Sequence, residues 1–373
     1  MLKRLFARAD FTLLITVVLL ATFGAVMVAS ATRHLQTSGP GASSNKVLVQ
    51  VVSLLVGLAL MALVMSLDYN KLLHVAPLII GGCLLMLVVT LVLGHAIRGS
   101  ARWIPLGPVH LQPSEFTKIG VIILLSFYLG LRSEDSDLSS PKIFLQSLGL
   151  AAGPAFVILL QPDLGTPLVL FFVWMVIIFG SGGKALYLGG ALVAAVLLFT
   201  VGWHTHLIKD YEKARIVAFL NPEADPLGAG YHLRQSLIAV GSGHLFGKGL
   251  FQGTQSNLAF LPDQETDFIF AVVGEELGFA GSLFVLGLLG IMIWRCFMVA
   301  AEAKDAGGRA LALGIGAMFL MHVIVNVGMV LGMMPVKGLP LPFMSYGGSA
   351  MVANFVGIGI VESVYMRRHK IAF

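Results

Sequence analysis

The sequence predicts an all-α integral membrane protein of about ten transmembrane helices, with a long extracytoplasmic loop between the seventh and the eighth. Of 373 residues, 57% are hydrophobic and only 12% are charged, about half the charge that a soluble domain carries. The mean hydropathy is +0.90. The apolar residues fall in runs of about 20, the length that takes a helix across the hydrocarbon core. A surface this poor in charge cannot be hydrated throughout, so lipid must cover much of it.

Ten runs reach a spanning or near-spanning length, roughly 11–31, 47–67, 72–94, 115–132, 143–160, 167–182, 185–207, 268–294, 309–333 and 347–366. The first follows Met1-Leu-Lys-Arg and Arg8. It is too long for the apolar stretch of a cleaved signal, and a retained helix is expected. The fifth and sixth are joined only by Gln161-Pro-Asp-Leu-Gly-Thr166, which predicts a tight hairpin whose limbs do not both cross fully. Several runs are rich in glycine, as close helix packing in lipid favours. A single polytopic domain, 1–373, is expected. Its loop, about 208–267, is too short for a core of its own and should pack on the membrane face with one or two short amphipathic helices.

The net charge of +5 recurs between apolar runs instead of collecting in a stripe, which argues against nucleic acid and for topology. One set of connecting segments holds Lys3, Arg4, Arg8, Lys71, Arg132, Lys142, Lys184, Arg295, Lys304, Arg309, Arg367, Arg368 and Lys370. The short loops of the other set hold only Arg33, Lys46, Arg98, Arg102 and Lys337. The excess of bases marks the cytoplasmic side, so both termini are expected there. Segments 94–114, 208–267 and 335–346 are then outside. The two cysteines, Cys83 in a span and Cys296 in a short basic loop, offer neither a disulfide framework nor metal spacing.

Ionisable groups within spans are costly and face a partner or a cavity. Glu115 and Lys118 open the fourth run, at i and i+3 on one helix face, behind Ser114 as a candidate N-cap. Two readings stand: a self-neutralising ion pair, or a polar floor to a substrate cavity. Asp163 reads either as a turn cap before Gly165 or as one of a set of outer acids. Thr266 or Asp267 could cap the eighth helix. Asp267 also lies where water meets a dry bundle, and desolvation there suits a general base. Glu275 and Glu276 sit two turns deeper, where an unpaired carboxylate is severely penalised, and structural pairing is expected. Arg102, Arg215, Arg234 and Lys248 form an outer basic set able to meet phosphate oxygens, or else solvated loop charge. Gly241-Ser-Gly243-His-Leu-Phe-Gly247-Lys-Gly249 lacks Walker A spacing and reads as a connector. His322 and Asn326 share a face of the ninth run and are expected to hydrogen-bond between helices. From these residues alone, an enzyme and a transporter fit equally well.

A series of motifs, in order along nearly all ten runs, resembles the SEDS family (shape, elongation, division and sporulation proteins). They are Ser100-Ala-Arg-Trp103, Gln112-Pro-Ser-Glu115 with Lys118, Gln161-Pro-Asp-Leu-Gly-Thr166, Asn221-Pro-Glu-Ala-Asp-Pro-Leu-Gly-Ala-Gly-Tyr-His232, Gly253-Thr-Gln-Ser256, Thr266-Asp-Phe-Ile-Phe270, Gly274-Glu-Glu-Leu-Gly278 and Leu341-Pro-Phe-Met-Ser-Tyr-Gly-Gly-Ser349. The resemblance implies a peptidoglycan glycosyltransferase that polymerises lipid II at the outer face of the cytoplasmic membrane. The strand on undecaprenyl diphosphate would be the donor, the product a β-1,4-linked glycan, and Asp267 the catalytic acid of the family. Lys118 and Arg102, with Arg215, would stabilise the departing diphosphate, while Glu115 and Asp163 would shape the cavity or hold Lys118. A divalent cation, Mg or Mn, could share that task, although no dedicated cage is legible. The implied partners are a class B penicillin-binding protein transpeptidase and the membrane proteins of an elongation complex. The motif wording leans towards the elongation branch over the division branch. A lipid II flippase and a non-catalytic scaffold are the competing readings; a flippase needs access from both faces.

Overall fold

The computed structural model describes residues 8–33, 42–93, 95–97, 100–106, 109–132, 140–161, 163–205, 208–225, 228–258 and 260–368. Lys3, Arg4, Gly94, Arg98, Pro162, Pro226, Leu227 and Lys370 lie outside them. Helices lie on all ten expected runs, and among the described residues seven of them are long and apolar enough to cross a membrane. The first is α1 (Phe11–Ala31), whose N-cap Asp10 accepts from the backbone of Thr12 and Leu13. Next come α2 (Ala42–Ser66), the short α3 (Tyr69–His74) and α4 (Ala76–Leu93). The third expected run thus divides at Val75, the residue before the Ala76-Pro77 start of α4, because Asp68 caps a separate turn of helix. After a small antiparallel sheet follow α5 (Pro113–Gly130), α6 (Pro141–Leu159), α7 (Gly165–Gly180) and α8 (Ala185–His204). At about 1.5 Å per residue the 16-residue α7 is about 24 Å long, short of the ~30 Å hydrocarbon, as the tight hairpin predicted.

The sheet was not legible in the sequence. β1 (His95–Ile97), β2 (Ser100–Leu106) and β3 (Val109–Leu111) pair in that order, with Ala96 opposite Ala101 and Pro105 opposite His110. β1 and β3 have only three residues, and the seven of β2 include Pro105, which reads against a strand, so no recognisable alternation results.

The connection after α8 holds α9 (Asp210–Leu220), a 3-10 turn at Pro222–Ala224, α10 (Ala229–Ser242) and the single turn α11 (Thr254–Asn257). The chain closes with α12 (Ile269–Glu302), α13 (Ala306–Val330) and α14 (Gly348–Met366). The central helix is α13, which packs on α5, α7, α12 and α14. At Gly314 an added Cβ would meet Ile122 and Ile177 at 2.7 and 2.8 Å. Such close approach supplies the van der Waals contact that holds helices together where lipid removes the hydrophobic drive. The outward faces are apolar too: Leu186 is 80% and Leu198 72% exposed, whereas Leu13, Val17 and Leu20 are at 0%.

α12 departs from the sequence reading. It has 34 residues, about 51 Å at 1.5 Å per residue, too long for one span, and it breaks at Gly278 (φ 66, ψ −161). A break inside a membrane protein must have its freed backbone groups satisfied. The 244–249 segment does this: Phe279 N donates to His244 O and Ala280 N to Leu245 O, while Lys248 N and Gly249 N donate to the carbonyls of Glu275 and Glu276. The glycines of this segment are what allow the approach. A Cβ on Gly243 would lie 1.9 Å from Gly274 O, and Gly247 sits at φ 78 against Glu276 O. The continuation to Glu302 also places Cys296 inside the helix, fully buried, not in a loop as expected.

At one end of the bundle the starts and ends of spans meet through charge. Arg295 Nε donates to Asp10 Oδ2 at 2.6 Å, Asp10 N donates to Glu362 Oε2 at 3.0 Å, and Arg368 pairs with Glu302 at 3.2 Å. The sheet, α9 to α11 and the 335–346 segment gather at the opposite end, called the loop end below.

Candidate functional site

Asp267 is delivered by a turn. Asp263 adopts a left-handed backbone (φ 52), tolerated by Asp among non-glycine residues, and its carbonyl accepts from Thr266 N and Asp267 N at 3.1 and 3.0 Å. The helix then begins at Ile269 with Phe268 at the N-cap and no side-chain capping bond. Neither Thr266 nor Asp267 therefore serves as the cap.

The half-buried Asp267 lines a pocket of about 300 Å³ together with Tyr211, Arg215, Asp225, His232 and Asp263. That size is at the lower end of small-ligand sites. Arg215 and Tyr211 come from α9, His232 from α10, where its ring stacks on Phe268 at 6.2 Å and 16°. Burial lowers the His232 pKa below 6.5, Asp263 opposes this and Arg215 adds to it, so the imidazole is neutral at neutral pH. Burial also pushes the Tyr211 hydroxyl up, as does Glu212, while Arg102 and Arg215 pull it down. Arg102 thus lies within electrostatic reach of the pocket wall. A larger hollow of about 350 Å³ runs between α2, α4, α5 and α14, but its lining is almost wholly apolar and carries none of the candidate residues.

Glu115 and Lys118 meet where the sequence placed them, on the first turns of α5. Lys118 Nζ donates to Glu115 Oε1 at 2.9 Å and to His322 Nε2 at 2.8 Å, with the lysine and glutamate side chains 1% and 4% exposed. This cluster is not among the residues lining the Asp267 pocket. The 338–341 segment lies between the two. Gly338 approaches Asp267, where an added Cβ would stand 3.2 Å from Oδ2. Asn326 Nδ2 donates to both Asp267 O and Leu339 O at 2.9 Å, and His322 Nδ1 bonds Pro340 O at 3.0 Å.

Asp163 accepts from Gly165 N, Thr166 N and the Thr166 hydroxyl at the start of α7. Arg102, on β2, donates through Nε to Gln161 O at 3.1 Å and reaches Asp163 at 3.9 Å. Gly165 packs on Leu339, so this pair borders the same segment. Glu275 and Glu276 are paired. Glu275 accepts from Lys248 Nζ at 2.7 Å and from the backbone of Thr254, Gln255 and Ser256. Glu276 accepts from Ser30 Oγ and Phe251 N.

Sequence reasoning missed Glu212, which forms a buried 2.5 Å ion pair with Lys337. The pair joins α9 to the 335–346 segment directly behind two pocket walls, since Tyr211 and Val336 are the preceding residues. Its only sequence signal was an acid in an otherwise amphipathic loop helix. Tyr211 was not singled out either, and Asp225 and His232 had been noted only as parts of a motif.

The fold and the site define a polytopic membrane protein with a mixed-charge pocket at its loop end. The family model for cell cycle proteins of the FtsW, RodA and SpoVE group matches residues 11–370, and the chain belongs to that family, the SEDS proteins. It is 40% identical over 301 residues to the peptidoglycan glycosyltransferase MrdB of Escherichia coli K12, covering 80% of this chain and 79% of the relative. It is 37% identical to the probable peptidoglycan glycosyltransferase FtsW of Trichlorobacter lovleyi, over 96% and 93% of the two chains. A chain in a solved peptidoglycan synthase complex, reported for its coordination of polymerization and crosslinking, superposes with a TM-score of 0.79 at 31% identity, over 97% of this chain and 99% of that one.

Proposed function

We propose that this chain is a peptidoglycan glycosyltransferase that polymerises lipid II into β-1,4-linked glycan at the outer face of the cytoplasmic membrane, in the elongation branch of its family. One observation carries the mechanism: Asp267 and Arg215 line one pocket at the loop end. A base and a fixed cation on one small hollow suit a reaction that removes a proton at one atom and expels an anion at another.

In this scheme the 4-hydroxyl of the incoming N-acetylglucosamine attacks the anomeric carbon of the donor N-acetylmuramic acid. Asp267 takes the hydroxyl proton as the new C–O bond forms. The bond from the anomeric carbon to the diphosphate breaks with its electron pair leaving on oxygen, and configuration inverts. Arg215 faces the charge that develops, and Arg102, held by Gln161 and Asp163 outside the lining, adds its field. Glu115 and Lys118, satisfied by each other and by His322, support the site from beneath. Asp225, Asp263 and Asp267 line the pocket together, yet among the described residues no three potential ligands are grouped to hold a metal ion, and the scheme uses the chain's own side chains.

The synthase complex among the structural neighbours supports pairing with a crosslinking partner, a class B penicillin-binding protein transpeptidase; the membrane proteins of an elongation complex as further partners rest on the elongation assignment alone. Relatives named for both branches match at similar identity, 40% and 37%, and the elongation assignment rests on motif wording. Rescue of a strain lacking its elongation polymerase, but not of one lacking its division polymerase, tests it.

The activity is tested with the purified protein and lipid II. Wild type should yield long glycan strands and Asp267→Ala none, with unchanged melting. Lipid II crossing a bilayer without polymer would replace this reading by a flippase, and neither transport nor polymer by a scaffold. Asp267→Ala polymerising within about threefold of wild type would keep the activity but remove Asp267 as the base, whose loss should cost at least about 100-fold.

A further inference from the structure

His322 and Asn326 stand four residues apart on α13, on one face of the helix. Both side chains reach the 338–341 segment, and each also holds a residue on a different side of it. Asn326 holds the Asp267 carbonyl, and His322 holds the Lys118 ammonium.

The hydrogen-bond partners fix the protonation of His322. Pro340 O can only accept, so the Nδ1 that meets it at 3.0 Å carries the hydrogen. Nε2 faces the Lys118 ammonium at 2.8 Å, and an ammonium can only donate, so Nε2 presents its lone pair. The result is one directed chain: Lys118 donates to Glu115 and to His322, and His322 donates to Pro340. Its three side chains are buried, His322 at 3%, Glu115 at 3% and Lys118 at 1% exposed, and Pro340 is partly exposed. Two residues before Pro340, Gly338 lies against the Asp267 carboxylate.

We propose that His322 is a positioning residue for the polymerase reaction: as a neutral Nδ1–H tautomer it registers the Glu115–Lys118 pair of α5 against the turn that bounds Asp267. The proposal rests on the reading of Asp267 as the base. His322 touches neither substrate nor reacting atoms. It acts by setting where Gly338 and Pro340 stand, and through them where the carboxylate points. Asn326, which holds Leu339 O and Asp267 O, supports the same segment one turn along the helix.

The test compares two substitutions in the full-length protein, in detergent or liposomes, with lipid II as substrate. In His322→Gln the amide oxygen can accept from Lys118 and the amide nitrogen can donate to Pro340 O. In His322→Leu neither bond can form. His322→Gln should keep kcat within about threefold of wild type, while His322→Leu should lose about 10- to 100-fold in kcat, the scale of a small misplacement of a reacting group. KM for lipid II should stay within about twofold in both, because uniform binding is untouched. A merely structural role would lower the folded fraction without changing the turnover of what remains folded.

An independent readout is the nitrogen NMR of 15N-histidine-labelled wild type, with the His322 signals assigned by their loss in His322→Gln. They should show a neutral ring protonated on Nδ1. A ring protonated on Nε2, or folded His322→Leu turning over like wild type, overturns the proposal. If His322→Leu does not fold, the kinetics of His322→Gln and the wild-type tautomer decide. If Asp267→Ala proves active, the reading of Asp267 fails instead, and the tautomer result still reports on the chain of bonds.

Discussion

Cutting the buried ion pair of α5 one partner at a time, and then both together, separates its part in folding from its part in the reaction. Glu115 and Lys118 stand 2.9 Å apart with side chains 4% and 1% exposed. Removing one member of such a pair strands the other, at a cost of about 3–5 kcal/mol. Lys118→Met should reach that range, since Glu115 is left without its cation and His322 without its donor. Glu115→Gln should cost less, about 1–3 kcal/mol, because His322 still accepts from Lys118 and the amide oxygen remains an acceptor. In the double variant no charge is stranded, and the large penalty of an uncompensated buried charge is absent. Its stability should be about 1–3 kcal/mol below wild type, because the new amide at position 115 and His322 Nε2 lose their donor, and still well above what the sum of the singles gives. The assay is reversible unfolding of the purified variants in one detergent, analysed as a double-mutant cycle. Polymer yield from lipid II is then measured on the folded double variant, where a loss of activity is expected. Single costs that simply add would show that the two side chains do not form one energetic unit. A double variant as active as wild type would remove the pair from the function.

Two further outcomes follow from particular geometry. Gly278→Ala places a side chain at φ 66, ψ −161, a region worth about 1–3 kcal/mol of strain, with its Cβ 2.3 Å from Gly247 N. The melting temperature in detergent should fall clearly, and an unchanged value would show that the interlock of α12 with the 244–249 segment does not set stability. The lowered pKa of His232 means that the unfolded chain takes up a proton near pH 6.5 while the folded chain does so only at lower pH. Its contribution is therefore complete above 6.5 and is lost as pH falls through the folded value. His232→Asn should flatten that acid-side decline in melting temperature; an unaltered slope would contradict the assignment.

What the sequence revealed tracks how locally each feature is caused. The helices on the ten expected runs were legible because lipid demands a long apolar run wherever a helix crosses, and that demand is met residue by residue; seven of them among the described residues are long and apolar enough to cross. Glu115 with Lys118 was legible for the same reason, being three residues apart on one turn. The pairing of Glu275 and Glu276 could be foreseen, because a buried carboxylate needs partners, but not the partners themselves, which come from α1 and from residues 248–256. The break at Gly278 was hidden inside an apolar stretch that continues through Phe279 and Leu283. Its cause is the 244–249 segment packed against it, and nothing in the local pattern announces that neighbour. His322 meets Lys118 across 204 residues of sequence, and Lys337 meets Glu212 across 125. No periodicity connects such pairs. The outer basic set was only partly a set: Arg215 lines the pocket, Arg102 anchors to Gln161 and Asp163, and Lys248 is bound to Glu275.

The proposed reaction turns on the chemistry of a single carboxylate, and Asp267→Asn tests it with almost no change of shape. Lipid II binding and single-turnover polymerisation should be measured on the same folded preparation. Binding should stay within about twofold of wild type while the rate falls by about 100- to 10,000-fold, the span of general-base contributions. A rate within about threefold of wild type would show that the proton goes elsewhere, and the proposed mechanism would be wrong.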